Sequence, residues 1–326
     1  MSSSPRRKGE RPTLSVVLPH YNHEKLITRA LDAFLEQSVQ ADEILILDDC
    51  STDNSVEVIR GYADKHPHIR LYEAPENGGV CVNANRGLEM VSGEFVYWAA
   101  SDDFILPGFF EKSLDLLAEH PEARMSCTIG DWRDEESGVA SHVGGAMGDQ
   151  PVWYPPADVL QLEKQGRLLI PSNTILWHRE TLIALGGLDA ELKWHSDWFL
   201  YMTFAFRHGF CFVPEPLAVF SLHPGGLSAR TPDKEEEHRE VLAGILRRLD
   251  SNEFRDIRQP VRESGALFVF GSPMRKLLES DPAYRGYLTP LFLRKCRWHA
   301  FKMWIKPRLP KWLGEALLRL VGSKRG

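Results

Sequence analysis

Short apolar runs alternate with amphipathic stretches over the N-terminal third of the chain. The apolar runs predict buried strands at residues 14–18, 43–47, 69–73 and 94–99. Apolar residues at helical spacing between them predict helices at residues 23–37, 56–63 and 80–91. Because the strands are apolar throughout and are separated by helices, this pattern predicts a mostly parallel α/β sheet covered by helices on both faces.

The pattern weakens beyond residue 131. Residues 138–156 are rich in Gly and Pro and predict a long loop of the kind that covers a site. Farther along, the pattern predicts helices at residues 179–185 and 197–208, an extended segment at 211–220, and mostly helix from about residue 233.

The composition fits a folded, reduced protein. The chain has 326 residues, of which 43% are hydrophobic and 26% charged, and this balance excludes a wholly disordered chain. No run approaches the roughly 18 apolar residues of a membrane span, and the polar, basic residues 1–12 do not form a secretory signal. Five scattered cysteines without a CxxC pair give no zinc-finger or disulfide framework. We therefore expect a cytoplasmic protein.

Charge is distributed unevenly along the chain. Residues 285–326 contain eleven Lys and Arg against the single acid Glu315, a net of +10, whereas the preceding 284 residues carry a net of −16. Within this basic tail, Trp298 and Phe301 lie among Arg294 and Arg297, as in helices that bind anionic membrane surfaces. Packing of the tail on the acidic body is the other interpretation, and both stay open. Nucleic acid is a poor partner because the acidic body repels phosphate.

Polar clusters follow three of the predicted strands. They are Tyr21-Asn22, Asp48-Asp49 and Asp102-Asp103. In open α/β sheets, ligands bind in the crevice outside the carboxyl ends of the strands. Asp102-Asp103 predicts a divalent-cation site, or a turn before Pro107. Asp49 predicts hydrogen bonds to a nucleobase or ribose, and helix capping is assigned instead to Ser51 or Asp53.

Two further segments carry candidate chemistry. Asp197 begins a predicted helix, where it is either a general base or an acid favoured by the helix dipole. The neighbouring Trp194 and Trp198 are candidate platforms for a sugar face, or core residues. His223 lies in a Gly-rich turn and gains a functional meaning only with a metal or phosphate partner.

In this order, the segments resemble family-2 inverting glycosyltransferases with the GT-A fold. The resemblance is carried by Leu18-Pro19-His20-Tyr21-Asn22, Asp48-Asp49-Cys50-Ser51-Thr52-Asp53, Asn77-Gly78-Gly79 with Asn85, and Ser101-Asp102-Asp103. It implies a GT-A domain at residues 13–230, with a mostly parallel central sheet flanked by helices. The residues outside it predict a flexible polar tail at 1–12 and a helical C-terminal region at 231–326, which ends in the basic amphipathic tail from about residue 286.

The resemblance also implies roles for single residues at the donor site. Tyr21 flanks the nucleobase, Asp49 hydrogen bonds to it, and Asp102 contacts the ribose. The remaining residues expected to bind the nucleotide are Pro19, Asn22 and Asn85.

The family's metal and base positions fall on three further residues. Asp103 would hold Mn2+ or Mg2+ on the donor diphosphate together with His223. Asp197, which follows a Gly-Gly-Leu-Asp segment, would be the catalytic base. The chain departs from the family in having Ser196 where Glu usually precedes the base, and Ala84 where a basic residue often stands.

The function implied is an inverting, metal-dependent, non-processive transfer of a sugar from a nucleotide sugar. UDP-sugars are the family's commonest donors, and the acceptor would be a glycan or lipid-linked hydroxyl in cell-surface polysaccharide or glycolipid synthesis. Processive members carry a Gln-x-x-Arg-Trp motif soon after the base, and the nearest string here lies far downstream at residues 294–298. Ser196 and Ala84 leave open the alternative of a catalytically degenerate nucleotide-sugar-binding protein. The basic tail would add a peripheral contact with the inner face of the cytoplasmic membrane.

Overall fold

The computed structural model describes residues 7–222 and 235–305. Contacts between Cα atoms divide the chain into two compact units. The first comprises Met1–Val159 and Leu169–Asp233, and the second comprises Leu160–Leu168 and Lys234–Gly326.

The first unit begins with the predicted alternation of strands and helices. Its elements are β1 (Leu14–His20), α1 (Ile27–Leu35), β2 (Glu43–Asp48), α2 (Ser55–Ala63), β3 (Ile69–Glu73), α3 (Gly79–Met90) and β4 (Phe95–Trp98). The four strands pair in parallel in the order β3-β2-β1-β4. This part of the sheet confirms the α/β prediction.

The rest of the unit makes the sheet mixed. Its elements are β5 (Phe104–Ile105), α4 (Phe109–Glu119), β6 (Met125–Asp134), β7 (Ala140–Val143), β8 (Val152–Tyr154), α5 (Pro156–Gln165), β9 (Leu176–His178), α6 (Arg179–Ala184), α7 (Ser196–His208) and β10 (Phe210–Leu222). The main sheet order is β3-β2-β1-β4-β9-β6-β10-β5, with β9 antiparallel to both of its neighbours. Helix α5 runs from the first unit into the segment assigned to the second.

Two predictions about element boundaries are wrong. Residues 138–156 are not one loop, because β7 and β8 pair with β6 and β10. These strands have four and three residues and depend on partners outside the local sequence. Strand β1 also continues through Pro19 to His20. Its register with β4 ends at Val17, so the N–H that Pro19 lacks is not needed on that side.

The core of the first unit forms around the central strands. In β1, Leu14, Val16 and Leu18 are fully buried and belong to the same cluster as Phe34 and Tyr97. The rings of Phe34 and Tyr97 meet edge to face, with centroids 6.2 Å apart. This packing holds the strand ends, and the loops that follow them, in fixed positions.

The described part of the second unit is mainly helical, as predicted for the C-terminal region. Its helices are α8 (Glu235–Asp250), α9 (Arg255–Ser264), α10 (Gly271–Ser280) and α11 (Pro290–Ile305). A buried ion pair joins Lys295 Nζ to Glu163 Oε1 at 2.8 Å. Within the described ranges, no helix is long and apolar enough to cross a membrane.

Candidate active site

The carboxyl ends of β1, β2 and β4 lie at one edge of the sheet. His20, the last residue of β1, is in register with Asp48, the last residue of β2, and β4 pairs in parallel with β1 on its other side. The loops that leave this edge carry Tyr21, Asp49 and Asp102. The three polar clusters of the sequence are therefore brought to one rim, where parallel sheets bind ligands.

The loop after β1 is tied to the loop after β2 through Asn22. Asn22 has a left-handed backbone with φ of 54°, a conformation that Asn tolerates better than most residues. Its N–H donates to Ser51 Oγ at 3.0 Å, and its Oδ1 accepts from the Thr52 N–H at 2.7 Å. Tyr21 beside it is 47% exposed, so its ring is accessible to a ligand. The nucleotide contacts of Tyr21 and Asn22, and that of Pro19 within β1, stay predictions.

The Asp49 carboxylate is held by the head of α3. Its two oxygens accept from the N–H groups of Gly78 and Gly79, each at 2.8 Å. A carboxylate has about four acceptor sites, so each oxygen retains capacity for a ligand. The prediction that Ser51 or Asp53 caps α2 is wrong, because the N-cap residue is Asn54 and its side chain makes no capping bond. Asp53 precedes it and accepts from the Ser55 N–H at 3.1 Å. The base contact of Asp49 stays a prediction.

His20 connects β1 to the loop that carries the paired aspartates. Its Nδ1 lies 2.8 Å from Ser101 Oγ, and its side chain is buried. Burial lowers the pKa of His20 to about 4, although the charge on Asp48 opposes this shift. The ring is therefore neutral at neutral pH, and it acts on the site by fixing Ser101.

Asp103 is buried and held from two sides. Its Oδ1 accepts from the Ser221 N–H at 2.9 Å, and its Oδ2 accepts from Asn173 Nδ2 at 3.3 Å. Burial, reinforced by the charge on Asp102, raises the pKa of Asp103 to about 8. Arg29 donates to the Asp102 carbonyl at 2.6 Å, which secures the backbone between the two carboxylates. The Asp102 side chain is half-buried at the rim.

The Asp103 carboxylate fits a divalent cation that is shared with a phosphate ligand. Among residues 7–222 and 235–305, no group of three or more His, Cys, Asp or Glu is placed to hold a metal by itself. Mg2+ is usually held by one or two carboxylates together with substrate phosphates, and Asp103 offers one such carboxylate, which leaves Asp102 for the predicted ribose contact. A cation also favours the charged form of a carboxyl whose pKa is raised by burial. His223, the other predicted ligand, lies outside the described residues.

Asp197 stands in the first turn of α7, as predicted, and is half-buried. Its Oδ1 accepts from the Trp198 N–H at 2.7 Å. Burial raises the pKa of Asp197, and nearby polar groups, the Ser172 hydroxyl first among them, oppose the rise. Trp194 is exposed, whereas Trp198 is only 8% exposed. The interpretation of Trp198 as a sugar platform is therefore wrong, because its ring belongs to the core.

The segment before Asp197 is clamped by two polar side chains. Asn85 Nδ2 donates to the Leu188 carbonyl and Asn85 Oδ1 accepts from the Leu188 N–H, both at 2.8 Å. Ser196 Oγ accepts from the Asp189 N–H at 2.6 Å. A Cβ on Gly187 would lie 2.2 Å from Asn85 Oδ1, so the close approach requires glycine. Asn85 thus positions the segment that leads to Asp197, and its predicted nucleotide contact stays a prediction.

Two residues that hydrogen bond to the Asp103 carboxylate were not predicted from the sequence. They are Asn173 and Ser221. Residues 171–173 stand out in the sequence only as a polar break in an apolar segment, and Ser221 lies in an extended stretch without a motif. The partners are separated by 70 and 118 positions in the two bonds to Asp103, and no local pattern identifies them.

Comparisons with known proteins agree on the family and the fold. Residues 15–173 match the sequence profile of glycosyl transferase family 2. Minor teichoic acid biosynthesis protein GgaB of Bacillus subtilis is 32% identical over 108 residues, which are 32% of this chain and 12% of that protein. Two other curated relatives, each 35% identical, are matched over 36% and 44% of their own length.

Two solved structures share the fold at low sequence identity. S. aureus TarS 1-349 in complex with UDP-GlcNAc is 20% identical with a TM-score of 0.64, over 79% of this chain and 73% of that one. The mannosyltransferase PcManGT from Pyrobaculum calidifontis, in complex with GDP-Man and Mn2+, is 18% identical with a TM-score of 0.56, over 90% and 88%. The architecture is therefore that of the GT-A glycosyltransferases, with the mixed sheet and flanking helices described above.

Proposed function

We propose that the chain, whose residues 15–173 match glycosyl transferase family 2, is a member of that family and transfers a sugar from a nucleotide sugar to an acceptor hydroxyl, with inversion. The observation that carries this proposal is a pair of carboxylates in one unit, of which Asp103 is buried and Asp197 half-buried. Asp103 follows the end of β4, and Asp197 begins α7; burial raises the pKa of both. One carboxylate is suited to a cation and diphosphate, and the other to proton removal.

The donor we propose is a nucleoside-diphosphate sugar, with UDP-sugars the first to test. The accessible ring of Tyr21 flanks the base, Asp49 accepts a hydrogen bond from it, and Asp102 binds the ribose hydroxyls. Support comes from the complexes of TarS with UDP-GlcNAc and of PcManGT with GDP-Man, which have the same fold.

A divalent cation, Mn2+ or Mg2+, is part of the proposal. Asp103 would hold it, with His223 as the second predicted ligand. When bound, the cation neutralises the charge that develops on the departing diphosphate. Ser221 and Asn173 hold the Asp103 carboxylate in one orientation, so the side chain loses little conformational entropy when it binds a charged ligand. The Mn2+ in the PcManGT complex supports this part of the proposal.

Asp197 removes the proton from the acceptor hydroxyl. As the acceptor oxygen forms its bond to the anomeric carbon, the bond from that carbon to the diphosphate oxygen breaks on the opposite face. The hydroxyl proton moves to an Asp197 oxygen, and the nucleoside diphosphate leaves with the bonding electrons. A raised pKa makes this carboxylate a stronger base than an exposed aspartate. A single displacement inverts the anomeric configuration, and product release after each transfer makes the enzyme non-processive.

The acceptor we propose is a glycan or lipid-linked hydroxyl in cell-surface polysaccharide synthesis, in line with the name of the relative GgaB. Peripheral contact with the inner face of the cytoplasmic membrane would bring the enzyme to such an acceptor. On α11, Trp298 and Phe301 are 41% and 46% exposed and stack with centroids 5.7 Å apart. Arg294 and Arg297 on the same helix are exposed, and this combination suits an anionic surface. Residues 306–326 lie outside the described part of the chain.

Membrane contact is tested by flotation with vesicles that contain or lack phosphatidylglycerol. The wild type should float with the anionic vesicles, and the double variant Trp298→Ser/Phe301→Ser should not. Equal recovery of both proteins in every gradient would refute the membrane contact and leave packing of the tail within the protein.

Transfer is tested by screening nucleotide sugars for Mn2+-dependent release of nucleoside diphosphate. Asp197→Asn should lower turnover by about 10²–10⁴-fold, the usual contribution of a general base, and should bind Mn2+ and UDP normally. Asp103→Asn should weaken the Mn2+-dependent binding of UDP. Asp115→Asn, which removes an exposed carboxylate paired with Arg11, is the matched control and should behave as wild type.

Two outcomes would contradict the proposal. Near-normal turnover by Asp197→Asn would show that this residue is not the base. Binding of UDP with Mn2+ by the wild type, without turnover of any donor in the presence of glycan and lipid-linked acceptors, would instead support the degenerate binding protein.

A further inference from the structure

We propose that Arg29 is a positioning residue that fixes the metal-binding aspartate, Asp103, against the end of β10. This inference rests on the proposed function, because it takes from it the role of Asp103 as the cation ligand. Arg29 Nη2 donates to the Asp102 carbonyl at 2.6 Å and to Ser221 Oγ at 3.0 Å. The Ser221 N–H donates in turn to Asp103 Oδ1 at 2.9 Å. One guanidinium nitrogen therefore contacts both the backbone that leads into Asp103 and the residue that binds its carboxylate.

These bonds close a ring around Asp103. The Asp102 carbonyl belongs to the peptide group that joins Asp102 to Asp103. Nη2 carries two N–H groups, one for each acceptor, and the planar guanidinium holds them in fixed directions. Asp103 and Ser221 are only 5% and 4% exposed, and hydrogen bonds are electrostatically stronger in such buried surroundings than in water. The spacing between the loop and the strand is therefore set by the geometry of one side chain.

Arg29 is itself held in place on a packed helix. It lies in the first turn of α1, two positions before the fully buried Leu31. Its guanidinium carbon lies 4.7 Å from the centre of the Phe104 ring, within the range of a cation–π contact. Phe104 follows Asp103 in the chain. Arg29 thus contacts the residues on both sides of the metal-binding aspartate, through the Asp102 carbonyl and the Phe104 ring.

Glu135 pairs with the guanidinium and joins it to the same end of β10. Arg29 Nη1 donates to Glu135 Oε1 at 2.8 Å, and the Glu135 N–H donates to the carbonyl of Leu222, the residue after Ser221, at 3.2 Å. A guanidinium charge beside a cation site repels the cation, and the Glu135 carboxylate offsets that charge. The contribution of Arg29 to cation binding therefore comes from the geometry of its bonds and not from its charge.

Arg29→Met separates these two roles by the sign of the change. Loss of the bonds to Asp102 and Ser221 should raise the dissociation constant for Mn2+ about tenfold. Removal of a positive charge alone would instead lower it. The kcat at saturating Mn2+ should stay within about threefold of wild type, since saturation restores the bound cation. Arg29→Lys keeps the charge but lacks the planar fork, so its dissociation constant should lie between those of the wild type and Arg29→Met.

Two measurements that do not require turnover test the proposal. Mn2+ binding is measured from the electron paramagnetic resonance signal of free Mn2+ titrated into each protein with UDP. Hydrogen exchange, followed by mass spectrometry without Mn2+ or UDP, should be faster in Arg29→Met than in the wild type at residues 101–104 and 219–222. Arg60→Met is the matched control, because it makes the same substitution in an exposed ion pair with Glu73. It should match the wild type in both measurements.

The outcomes distinguish this inference from the proposed function. An unchanged or lower Mn2+ dissociation constant in Arg29→Met, or unchanged hydrogen exchange, refutes the positioning role and leaves the proposed function standing. An equal loss of affinity in Arg60→Met also refutes it, because the loss would not come from the contacts around Asp103. If Arg29→Met does not fold, wild-type Mn2+ affinity in Arg29→Lys is the refuting result. If the wild type binds no Mn2+ with UDP, the proposed metal site fails and this inference fails with it.

Discussion

The segment that leads to Asp197 depends on one glycine, and replacing it is the sharpest test of the site's architecture. Gly187 has φ of +68°, and a Cβ there would lie 2.2 Å from Asn85 Oδ1. Gly187→Ala must therefore displace the Asn85 side chain and break its two bonds to Leu188. Gly186 is the matched control, since it has φ of +79° and, apart from its neighbours in the chain, no atom of the described residues lies within 4 Å of the position that its Cβ would take.

The expected cost has two parts. An L-residue in the left-handed region costs about 1–2 kcal/mol, and Gly186→Ala should lose only this amount of the free energy of unfolding. Gly187→Ala adds the loss of two hydrogen bonds, each worth about 1 kcal/mol net, so it should lose about 3–4 kcal/mol. Asn85→Ala removes the obstacle, and adding Gly187→Ala to it should cost only the backbone part. The coupling energy in this cycle should therefore be about 2 kcal/mol.

Urea denaturation of the four variants measures these free energies, and turnover measures the effect on the site. Gly187→Ala should lower kcat more than it weakens Mn2+ and UDP binding, because the displaced segment precedes Asp197 and not Asp103. The reasoning is refuted if Gly186→Ala and Gly187→Ala are equally destabilised. Strict additivity of Asn85→Ala and Gly187→Ala would refute it as well.

Two further predictions concern buried ionisable groups. Burial lowers the pKa of His20 from 6.5 to about 4, so the unfolded chain binds a proton that the folded chain does not, and the free energy of unfolding should fall by up to about 3 kcal/mol between pH 6.5 and 4. His20→Gln should remove this part of the pH dependence, and an unchanged profile would contradict the assignment. Lys295→Met should destabilise the protein by about 3–5 kcal/mol, because it leaves the Glu163 charge buried and unpaired. Adding Glu163→Leu should restore most of the lost free energy of unfolding, as measured by urea denaturation. If it restores none, the loss comes from packing around Lys295 and not from the unpaired charge.

The elements that local sequence determines were predictable. Strand β3 covers residues 69–73 as expected, and helix α7 starts within one residue of its predicted start, because apolar runs and helix-start residues lie within a few positions of each other. Strands β7 and β8 were missed because residues 138–156 have little apolar patterning of their own. Their backbone groups are satisfied by β6 and β10, and only the tertiary fold supplies those partners.

The same distinction between local and tertiary determinants applies to the candidate site. The positions of Asp49, Asp102 and Asp103 were predictable because each lies within a few residues of the end of an apolar strand, and the carboxyl ends of parallel strands share an edge. What holds these residues was not identifiable. The Asn85 amide hydrogen bonds to Leu188, which lies 103 positions farther along the chain. The Asn173 amide hydrogen bonds to Asp103, which is 70 positions away. Such pairs leave no periodic signal, so a single sequence indicates the chemistry at the site but not its supports.

One departure from the family pattern is Ser196, which stands where Glu usually precedes the base. In the sequence, Ser in place of the usual Glu leaves the predicted base in position but supports the alternative of a degenerate binding protein. In the structure, Ser196 is buried, and its Oγ accepts the Asp189 N–H at 2.6 Å, which ties the clamped segment to the first turn of α7 beside Asp197. A Glu side chain would bring a carboxylate into this buried position, where desolvation disfavours its charge. The Ser196 hydroxyl therefore has a structural role, in which it joins the Asp189 backbone to the first turn of α7. Turnover of the wild type against Asp197→Asn decides between a transferase and a binding protein.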